Sequence, residues 1–269
     1  AVQIKPDYAE AWYNRGVALG NLGRYGEALE SYDKAVQIKP DYAEAWYNRG
    51  VALGNLGRYG EALESYDRAV QVKPDYAEAW YNRGLALGKM GRYDEALENF
   101  NKAVQIKPDY AEAWSNRGVA LGNLGRHDEA LESYDKAIQI KPDYAEAWSN
   151  RGVALDMMGR HGEALESYDK AVQIKPDYAE AWYNRGVALG MTGRHGEALE
   201  SYDKAVQIKP DYAEAWSNRG VALGKLGRYS EELESYDRAV QVKPDLAEAW
   251  SNRGVALGMT GRHGEALES

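Results

Sequence analysis

Apolar residues recur along the chain at helical spacing, in two stretches that a glycine separates and a proline closes. The first stretch places Trp12, Leu19 and Leu22 on one side of a helix. Gly23 then suits a left-handed helix stop, and Pro40 ends the second stretch because proline cannot continue a helix. That second stretch runs from about residue 26 to residue 39, and its apolar stripe consists of Ala28, Leu29, Tyr32, Ala35 and Val36. The pattern predicts a pair of antiparallel helices.

The spacing of Asp7 and Glu10 predicts how the first helix begins. An aspartate followed three residues later by a glutamate has the form of a capping box, in which two side chains bond free backbone amides of the first turn. Helices of about 14 residues are only about 21 Å long and are marginally stable alone. Each helix pair must therefore bury its apolar stripe against neighbouring pairs.

The helix pair is repeated with a fixed period of 34 residues. One tryptophan marks each copy: Trp12, Trp46, Trp80, Trp114, Trp148, Trp182, Trp216 and Trp250. Seven complete repeats, numbered 1 to 7 below, cover residues 9–42, 43–76, 77–110, 111–144, 145–178, 179–212 and 213–246, with partial repeats over residues 1–8 and 247–269. We interpret residues 1–269 as a single solenoid of stacked helix pairs.

The repeat resembles a known family at six positions. Trp12, Gly16, Ala28, Tyr32, Ala35 and Pro40, with their copies, are similar to the signature of the tetratricopeptide repeat (TPR). The chain departs from that signature at Arg15, where the family usually has leucine, and at Leu19, where it often has tyrosine. The resemblance implies an all-α, right-handed superhelical solenoid of antiparallel helix hairpins, whose first helices line a concave groove that binds extended peptides.

Composition and charge exclude several classes of protein. The chain is 44% hydrophobic, which favours a folded protein over a disordered one. Its 33 lysines and arginines against 42 aspartates and glutamates give a formal charge of −9, so we expect no nucleic-acid partner. Without cysteine, disulfides and thiolate metal sites are impossible, and no apolar run approaches the roughly 18 residues needed to cross a membrane. With no signal-peptide pattern in residues 1–8, these features favour the cytoplasm.

The near-identity of the repeats argues against an enzyme. An active site needs different groups that converge on one point, and no repeat holds such a combination. The histidines, each at a position where other repeats have tyrosine, are expected to pack as tyrosine substitutes: His127, His161, His195 and His263. Equivalent residues of stacked repeats lie about 10 Å or more apart, too far to share a metal ion. We therefore predict no catalytic residue, no metal and no cofactor.

One asparagine recurs at the same position of the first helix in every repeat: Asn14, Asn48, Asn82, Asn116, Asn150, Asn184, Asn218 and Asn252. Since a side-chain amide both donates and accepts, this series could pair with peptide N–H and C=O groups and read the main chain of a ligand. It is similar to the asparagine ladder in the repeat region of the O-linked N-acetylglucosamine transferase. The alternative is structural: each asparagine was copied with its repeat and makes a bond within its helix or between repeats.

Tyrosines beside the asparagines add a second candidate contact for a peptide. The position before the asparagine carries tyrosine in Tyr13, Tyr47, Tyr81 and Tyr183, and serine in Ser115, Ser149, Ser217 and Ser251. Tyrosine is a favourable interface anchor. Asp7 and Glu10 lie near the same edge, so we expect an acidic, tyrosine-rich groove that prefers neutral or basic extended peptides over acidic tails. Tyr8 and its copies could equally serve packing between repeats.

Two departures from ordinary helix composition need an explanation. Gly20 costs up to about 1 kcal/mol in a helix interior, and we expect it to keep the groove floor open, with Asp156 as the one interruption. Arg15 stands at an expected core position, and a partly buried guanidinium needs an anion. Asp33 is the candidate partner, and its replacement by Asn101 should weaken the pair around Arg83 or Arg117.

The chain begins and ends inside a second helix, which raises an alternative function. Residues Glu268 and Ser269 of one molecule could meet Ala1 of the next, burying both open faces and giving head-to-tail self-association. A third possibility is a non-catalytic arm of a larger enzyme. The main prediction is a protein-interaction scaffold that binds extended peptides through the asparagine series.

Overall fold

A computed structural model describes residues 7–267, which form sixteen α-helices and no strand. The first helices of the repeats are α1 (Ala9–Asn21), α3 (Ala43–Asn55), α5 (Ala77–Lys89), α7 (Ala111–Asn123), α9 (Ala145–Met157), α11 (Ala179–Met191), α13 (Ala213–Lys225) and α15 (Ala247–Met259). The second helices are α2 (Tyr25–Ile38), α4 (Tyr59–Val72), α6 (Tyr93–Ile106), α8 (His127–Ile140), α10 (His161–Ile174), α12 (His195–Ile208), α14 (Tyr229–Val242) and α16 (His263–Ala266). The predicted all-α array of helix hairpins is confirmed.

The chain divides into two compact units, Ala1–Lys141 and Pro142–Ser269. Within each unit every first helix packs against its own second helix, and that second helix packs against the first helix of the next repeat. Successive first helices also contact one another within a unit, whereas no two second helices do so among residues 7–267. The first helices are therefore the more closely spaced layer, and we call their exposed surface the inner face.

A glycine with left-handed backbone geometry ends each first helix, as predicted. Gly23 has a φ of 71°, and its copies have similar positive values. The backbone N–H of Gly23 bonds the carbonyl of Gly20 at 2.9 Å, and that of Arg24 bonds the carbonyl of Leu19 at 2.9 Å. These bonds satisfy free carbonyls at the helix end and turn the chain into the second helix.

The predicted capping box is wrong. The residue that precedes α1 is Tyr8 rather than Asp7, and it makes no side-chain capping bond. Glu10 faces elsewhere, because its carboxylate lies 3.8 Å from the Lys39 ammonium at the end of the same repeat. The turn before the next first helix is held by its backbone, in which the N–H of Tyr42 bonds the carbonyl of Lys39 at 3.1 Å.

Close contact between the two helices of a hairpin depends on Gly16 and its copies. A Cβ added at Gly50 would lie 2.5 Å from a ring carbon of Tyr66, which is shorter than any tolerable contact. The glycine backbone therefore packs directly on the face of a buried tyrosine, which is only 3% exposed. This explains why a glycine and an aromatic residue, tyrosine or Phe100, recur at the same spacing in the complete repeats.

Neighbouring repeats are joined by apolar packing and by one tryptophan hydrogen bond. Ala35 and Val36 of repeat 1 form a core cluster with Ala45 of repeat 2, flanked by Trp12 and Trp46. The indole N–H of Trp46 donates to the carbonyl of Pro40 at 2.8 Å, and the equivalent bond recurs in the following repeats. The tryptophan thus fixes the loop between repeats as well as the core.

The copies of Arg15 in later repeats join neighbouring repeats by hydrogen bonds, whereas Arg15 itself donates to Ser31 of its own repeat. The Nε of Arg49 donates to Asp33 at 2.7 Å, while its Nη1 donates to Ser65 at 2.6 Å. The predicted aspartates are therefore partners of the arginines, but the predicted pair of Arg15 with Asp33 is wrong, because each aspartate bonds the arginine of the following repeat. The arginine side chain is 20% exposed, and its guanidinium lies 5.8 Å from the ring centroid of Trp46.

Arg117 is the arginine that receives the neutral partner. Its Nε donates to Asn101 at 2.7 Å, so the hydrogen bond remains but the opposite charge is lost. Burial lowers the pKa of Arg117 below its ordinary value. Of the two arginines that the sequence left open, Arg83 keeps its pair with Asp67 at 2.6 Å.

The ends of the chain and the length of the helices bear on the predicted self-association and on the predicted lack of a membrane span. The head-to-tail contact involves Ala1, Glu268 and Ser269, which lie outside the described residues, so it stays a prediction. Within residues 7–267, the helices are too short and too polar to cross a bilayer.

We expect the substitution Gly50→Ala to destabilise the protein by about 1–3 kcal/mol, because the new methyl group must displace the Tyr66 ring. Gly54→Ala, one turn later in the same helix, is the matched control, since its Cβ would meet only the Tyr66 hydroxyl at 3.9 Å. This second variant should be more stable than the parent by up to about 1 kcal/mol. Chemical denaturation measures both. Equal effects of the two substitutions would contradict the close-contact role of Gly50.

Candidate functional site

The asparagine series lies on the inner face, on one flank of the first helices. Asn14 is exposed, and its copies from Asn48 to Asn252 are partly buried. Residues of the same flank, among them Tyr13, Val17 and Gly20, line a cleft together with Asn48 of the next repeat. The sequence therefore placed the candidate residues on a common surface within each unit.

The asparagine amide is engaged by the tyrosine of the preceding repeat. The Nδ2 of Asn48 donates to the hydroxyl of Tyr13 at 2.9 Å. The same bond has a length of 3.1 Å in each of three further pairs: Asn82 with Tyr47, Asn116 with Tyr81, and Asn218 with Tyr183. Each tyrosine and asparagine thus form one contact between repeats rather than two separate sites.

A second bond uses the remaining amide hydrogen in two repeats. The Nδ2 of Asn82 also donates to the carbonyl of Glu78 at 2.9 Å, and that of Asn116 donates to the carbonyl of Glu112 at the same distance. An amide nitrogen has two hydrogens, so both are used. The bonds expected under the structural alternative are thus present, and the group left to face a ligand is the side-chain oxygen Oδ1.

Repeats with serine at the tyrosine position leave the next asparagine without this bond. Ser149 precedes Asn184 and Ser217 precedes Asn252, and neither asparagine amide has a hydrogen-bond partner in the described part of the chain. The Oγ of Ser217 is buried and also lacks a partner among those residues. The inner face therefore contains asparagines of two kinds, engaged and unengaged.

Tyrosine rings are stacked on the inner face. The ring centroid of Tyr13 lies 5.0 Å from that of Tyr42 and 6.1 Å from that of Tyr32. The same contacts surround Tyr47, Tyr81 and Tyr183. Burial raises the pKa of Tyr32 to about 12, so its hydroxyl stays protonated and able to donate near neutral pH. Tyr42 and its stacked copies thus have the packing role that the sequence left open.

The predicted acidic edge of this surface is partly neutralised. Glu44 lies 3.4 Å from the Lys73 ammonium, and similar pairs recur in every complete repeat. The Lys73 ammonium also lies 4.7 Å from the ring centroid of Tyr76. These pairs are not evident from the sequence, because their partners are 29 residues apart in the chain.

Clefts separate consecutive first helices on the inner face. Between α1 and α3 the cleft has a volume of about 330 Å³, between α5 and α7 about 210 Å³, and between α11 and α13 about 280 Å³. Gly20, Gly88 and Gly190 line the three clefts. A Cβ would fit at each, so these glycines are not needed for close packing and instead leave space.

Two carboxylates of the chain occupy this place in other repeats. Asp156, at the position of Gly20, accepts a hydrogen bond from the hydroxyl of Tyr168 at 2.9 Å, and its other oxygen lies 2.9 Å from Nδ1 of His161. Glu232 reaches Gly224 from the second helix, where a Cβ would lie 2.6 Å from its Oε1. Asp156 is the one replacement in the glycine series, as predicted, whereas Glu232 reaches the same place from the second helix while Gly224 is kept.

The histidines do not come together. His161 lies beside Asp156, whereas the Nδ1 of His127 is buried without a partner among the described residues. Within residues 7–267 no group of three or more histidines, aspartates or glutamates could hold a metal ion. The aspartate five residues before His161 was the sequence signal for their pairing.

Family models match most of the chain. The TPR repeat model matches residues 21–57, 55–91, 157–193, 191–227 and 225–261. Two further tetratricopeptide repeat models match residues 77–110 and 111–144, and residues 1–30 and 133–166. No curated protein matches the chain significantly.

Solved structures share the fold. MamA is 26% identical, with a TM-score of 0.58 over 64% of this chain and 94% of that chain. YrrB, described as a TPR protein with an unusual peptide-binding site, is 28% identical, with a TM-score of 0.57 over 70% of this chain and 96% of that chain. A tetratricopeptide repeat protein from Parabacteroides merdae is 18% identical, with a TM-score of 0.71 over 93% of this chain and 98% of that chain, and shows the fold alone.

We expect Tyr47→Phe to lower the free energy of unfolding by about 0.5–1.5 kcal/mol, because it removes the hydroxyl that accepts from Asn82. Tyr59→Phe is the control, since the Tyr59 hydroxyl has no hydrogen-bond partner in residues 7–267 and its loss should change stability little. Denaturant titration compares the two variants. If both lost the same stability, the bond between repeats would contribute nothing.

Proposed function

This chain belongs to the tetratricopeptide repeat family, and we propose that it is a non-catalytic scaffold that binds extended peptides along its inner face. TPR relatives support a role in protein interaction, and the peptide-binding site in the description of YrrB supports a peptide ligand. The finer part of the proposal is that the asparagine series contacts the main chain of the ligand.

The observation that carries this proposal is that the asparagines lie on the inner face of each unit, with several of their amide nitrogens bonded to tyrosine hydroxyls. With its nitrogen bonded to Tyr47 and to Glu78, Asn82 is fixed in orientation, and its Oδ1 accepts no hydrogen bond within the described residues. A fixed acceptor loses little side-chain entropy when it binds an N–H group. The proposed contact is therefore peptide N–H to asparagine Oδ1, in place of the two-way amide pairing predicted from the sequence.

The spacing of the repeats sets how often a ligand meets an asparagine. Packed helices lie about 10 Å apart, and an extended peptide rises about 3.3 Å per residue. Each asparagine would then meet roughly every third residue of the ligand. Peptides shorter than about six residues, which meet at most two asparagines, should bind poorly.

Charge favours neutral or basic ligands. The formal charge of −9 acts over the whole surface. Its local effect on the inner face is moderate, because the glutamates at this edge are paired with lysines. We therefore expect a preference set by long-range attraction, which salt should weaken.

A peptide array tests the proposal. Acetylated and amidated 12-residue peptides of neutral, basic and acidic composition are incubated with the full chain and with the double variant Asn82→Ala, Asn116→Ala. Since the contacts are to the main chain, we expect all bound sequences to lose affinity by a similar factor of about tenfold, the value of one to two hydrogen bonds.

Three variants serve as controls. Gln71→Ala and Gln105→Ala change exposed residues of second helices and should bind as the parent does. Tyr47→Phe removes the bond between repeats but keeps the asparagine, so it separates loss of structure from loss of the ligand contact. Losses confined to a few sequences would point to side-chain recognition and would contradict the main-chain role, as would undiminished binding of the double variant.

A further inference from the structure

In repeat 5 a histidine and a tyrosine on the inner face both contact a carboxylate of the chain. There the Asp156 carboxylate lies between a histidine and a tyrosine, 2.9 Å from Nδ1 of His161 and 2.9 Å from the hydroxyl of Tyr168. An ionised carboxylate accepts hydrogen bonds and cannot donate them, so both neighbours act as donors to it. The arrangement is a small carboxylate site that the chain fills with its own side chain.

Repeat 7 fills the same place from the other side. Glu232 belongs to the second helix, yet its carboxylate lies against Gly224, the counterpart of Asp156. It is hydrogen bonded to Tyr236, the counterpart of Tyr168, and burial raises the pKa of Glu232. In repeats 5 and 7, acidic residues from different helices thus place a carboxylate beside the equivalent tyrosine hydroxyl, that of Tyr168 and that of Tyr236.

Repeat 6 has the same lining without the acid. His195 and Tyr202 stand where His161 and Tyr168 stand in repeat 5, and Gly190 replaces Asp156. All three line the open cleft of about 280 Å³ between α11 and α13. The Tyr202 ring is buried, and a Cβ at Gly190 would lie 3.9 Å from its hydroxyl, which leaves room for an incoming group. No described residue accepts a hydrogen bond from that hydroxyl.

The rest of this cleft also suits an anion. Lys225 and Asn218 line it from the next first helix, and among its lining residues there is no aspartate or glutamate. The other two described clefts differ: the one in repeat 1 has Tyr25 in place of the histidine, and the one in repeat 3 has Phe100 in place of the tyrosine. Repeat 6 is therefore the described open cleft that combines histidine, tyrosine hydroxyl and lysine.

We propose that the cleft of repeat 6 binds the carboxylate of an aspartate or glutamate side chain in the peptide ligand, between His195 and Tyr202. The proposal rests on the proposed function, because the cleft opens on the inner face beside Asn218. It adds one acidic anchor residue to a ligand that is otherwise neutral or basic. Ligand register would then be fixed at repeat 6, which the near-identical asparagines cannot do by themselves.

A small probe tests the cleft without an extended peptide. N-acetyl-glutamate N-methylamide is titrated into the full chain while the imidazole resonances of the histidines are followed by NMR. We expect a saturable shift of the His195 resonances and a smaller response of His161, whose site holds Asp156. The glutamine analogue, which has the same shape without the charge, should bind at least about tenfold more weakly.

Two exchanges between repeats 5 and 6 supply matched variants, each of which introduces a residue the chain already has at the equivalent position. Gly190→Asp fills the cleft internally and should abolish the His195 response. Asp156→Gly removes the internal acid of repeat 5 and should give His161 a response to the probe, weaker than that of His195 because Met191 stands where Lys225 lines the repeat 6 cleft. Helix content by circular dichroism verifies that both variants fold.

Three results would overturn the inference: no response of His195 to the glutamate probe, equal binding of both probes, or an unchanged response in Gly190→Asp. Failure of the proposed function is separable, because the probe does not extend along the asparagine series. If the probe binds His195 while 12-residue peptides do not bind the parent chain, the cleft stands and the peptide scaffold does not. If the double variant Asn82→Ala, Asn116→Ala loses peptide affinity while the glutamate probe does not bind the parent chain, the peptide scaffold is supported and the carboxylate site is not.

Discussion

Contact between a glycine backbone and an aromatic ring, tyrosine in six complete repeats and Phe100 in repeat 3, is the constraint on which the helix hairpins depend. The ring of Tyr66 lies on Gly50, where even a methyl group would overlap it, so the two helices of a hairpin are held at a fixed short distance. The same geometry brings the hydroxyl at the far end of the ring next to Gly54, one turn along the first helix. A packing requirement of the core thus creates a hydrogen-bonding group on the inner face.

The function of such a surface depends on how the repeats differ. A perfect array offers a short ligand several equivalent registers, and main-chain contacts alone cannot choose among them. Replacement of tyrosine by serine at Ser149 and Ser217 leaves particular asparagines without the tyrosine bond, and the carboxylates of Asp156 and Glu232 lie at the place that the glycine leaves open in other repeats. The cleft of repeat 6, with His195 and no internal acid, is the position where these differences leave an open site of distinct chemistry.

Polar groups that the sequence presents as candidates for ligand contacts are largely used between repeats. Arg49 bonds the aspartate of the repeat before it, and Asn48 bonds the tyrosine of the repeat before it. Both bonds cross the interface between repeats, where they add to the apolar core and to the bond from Trp46 to the carbonyl of Pro40. Some side chains therefore both stabilise the interface between repeats and lie on the proposed ligand surface. A substitution that weakens this interface is expected to alter ligand binding as well.

The sequence by itself determined the helices, their stops and the family, because these depend on local periodicity and on the backbone freedom of residues such as Gly23 and Pro40. It also identified the aspartate series as partner of the arginines. Only the tertiary structure decided which repeat supplies each partner, that Glu10 serves a lysine instead of a cap, and that Glu232 enters a cleft. Helical periodicity fixes which residues share a face of one helix, whereas the distance and offset of the neighbouring helix fix which atoms can meet.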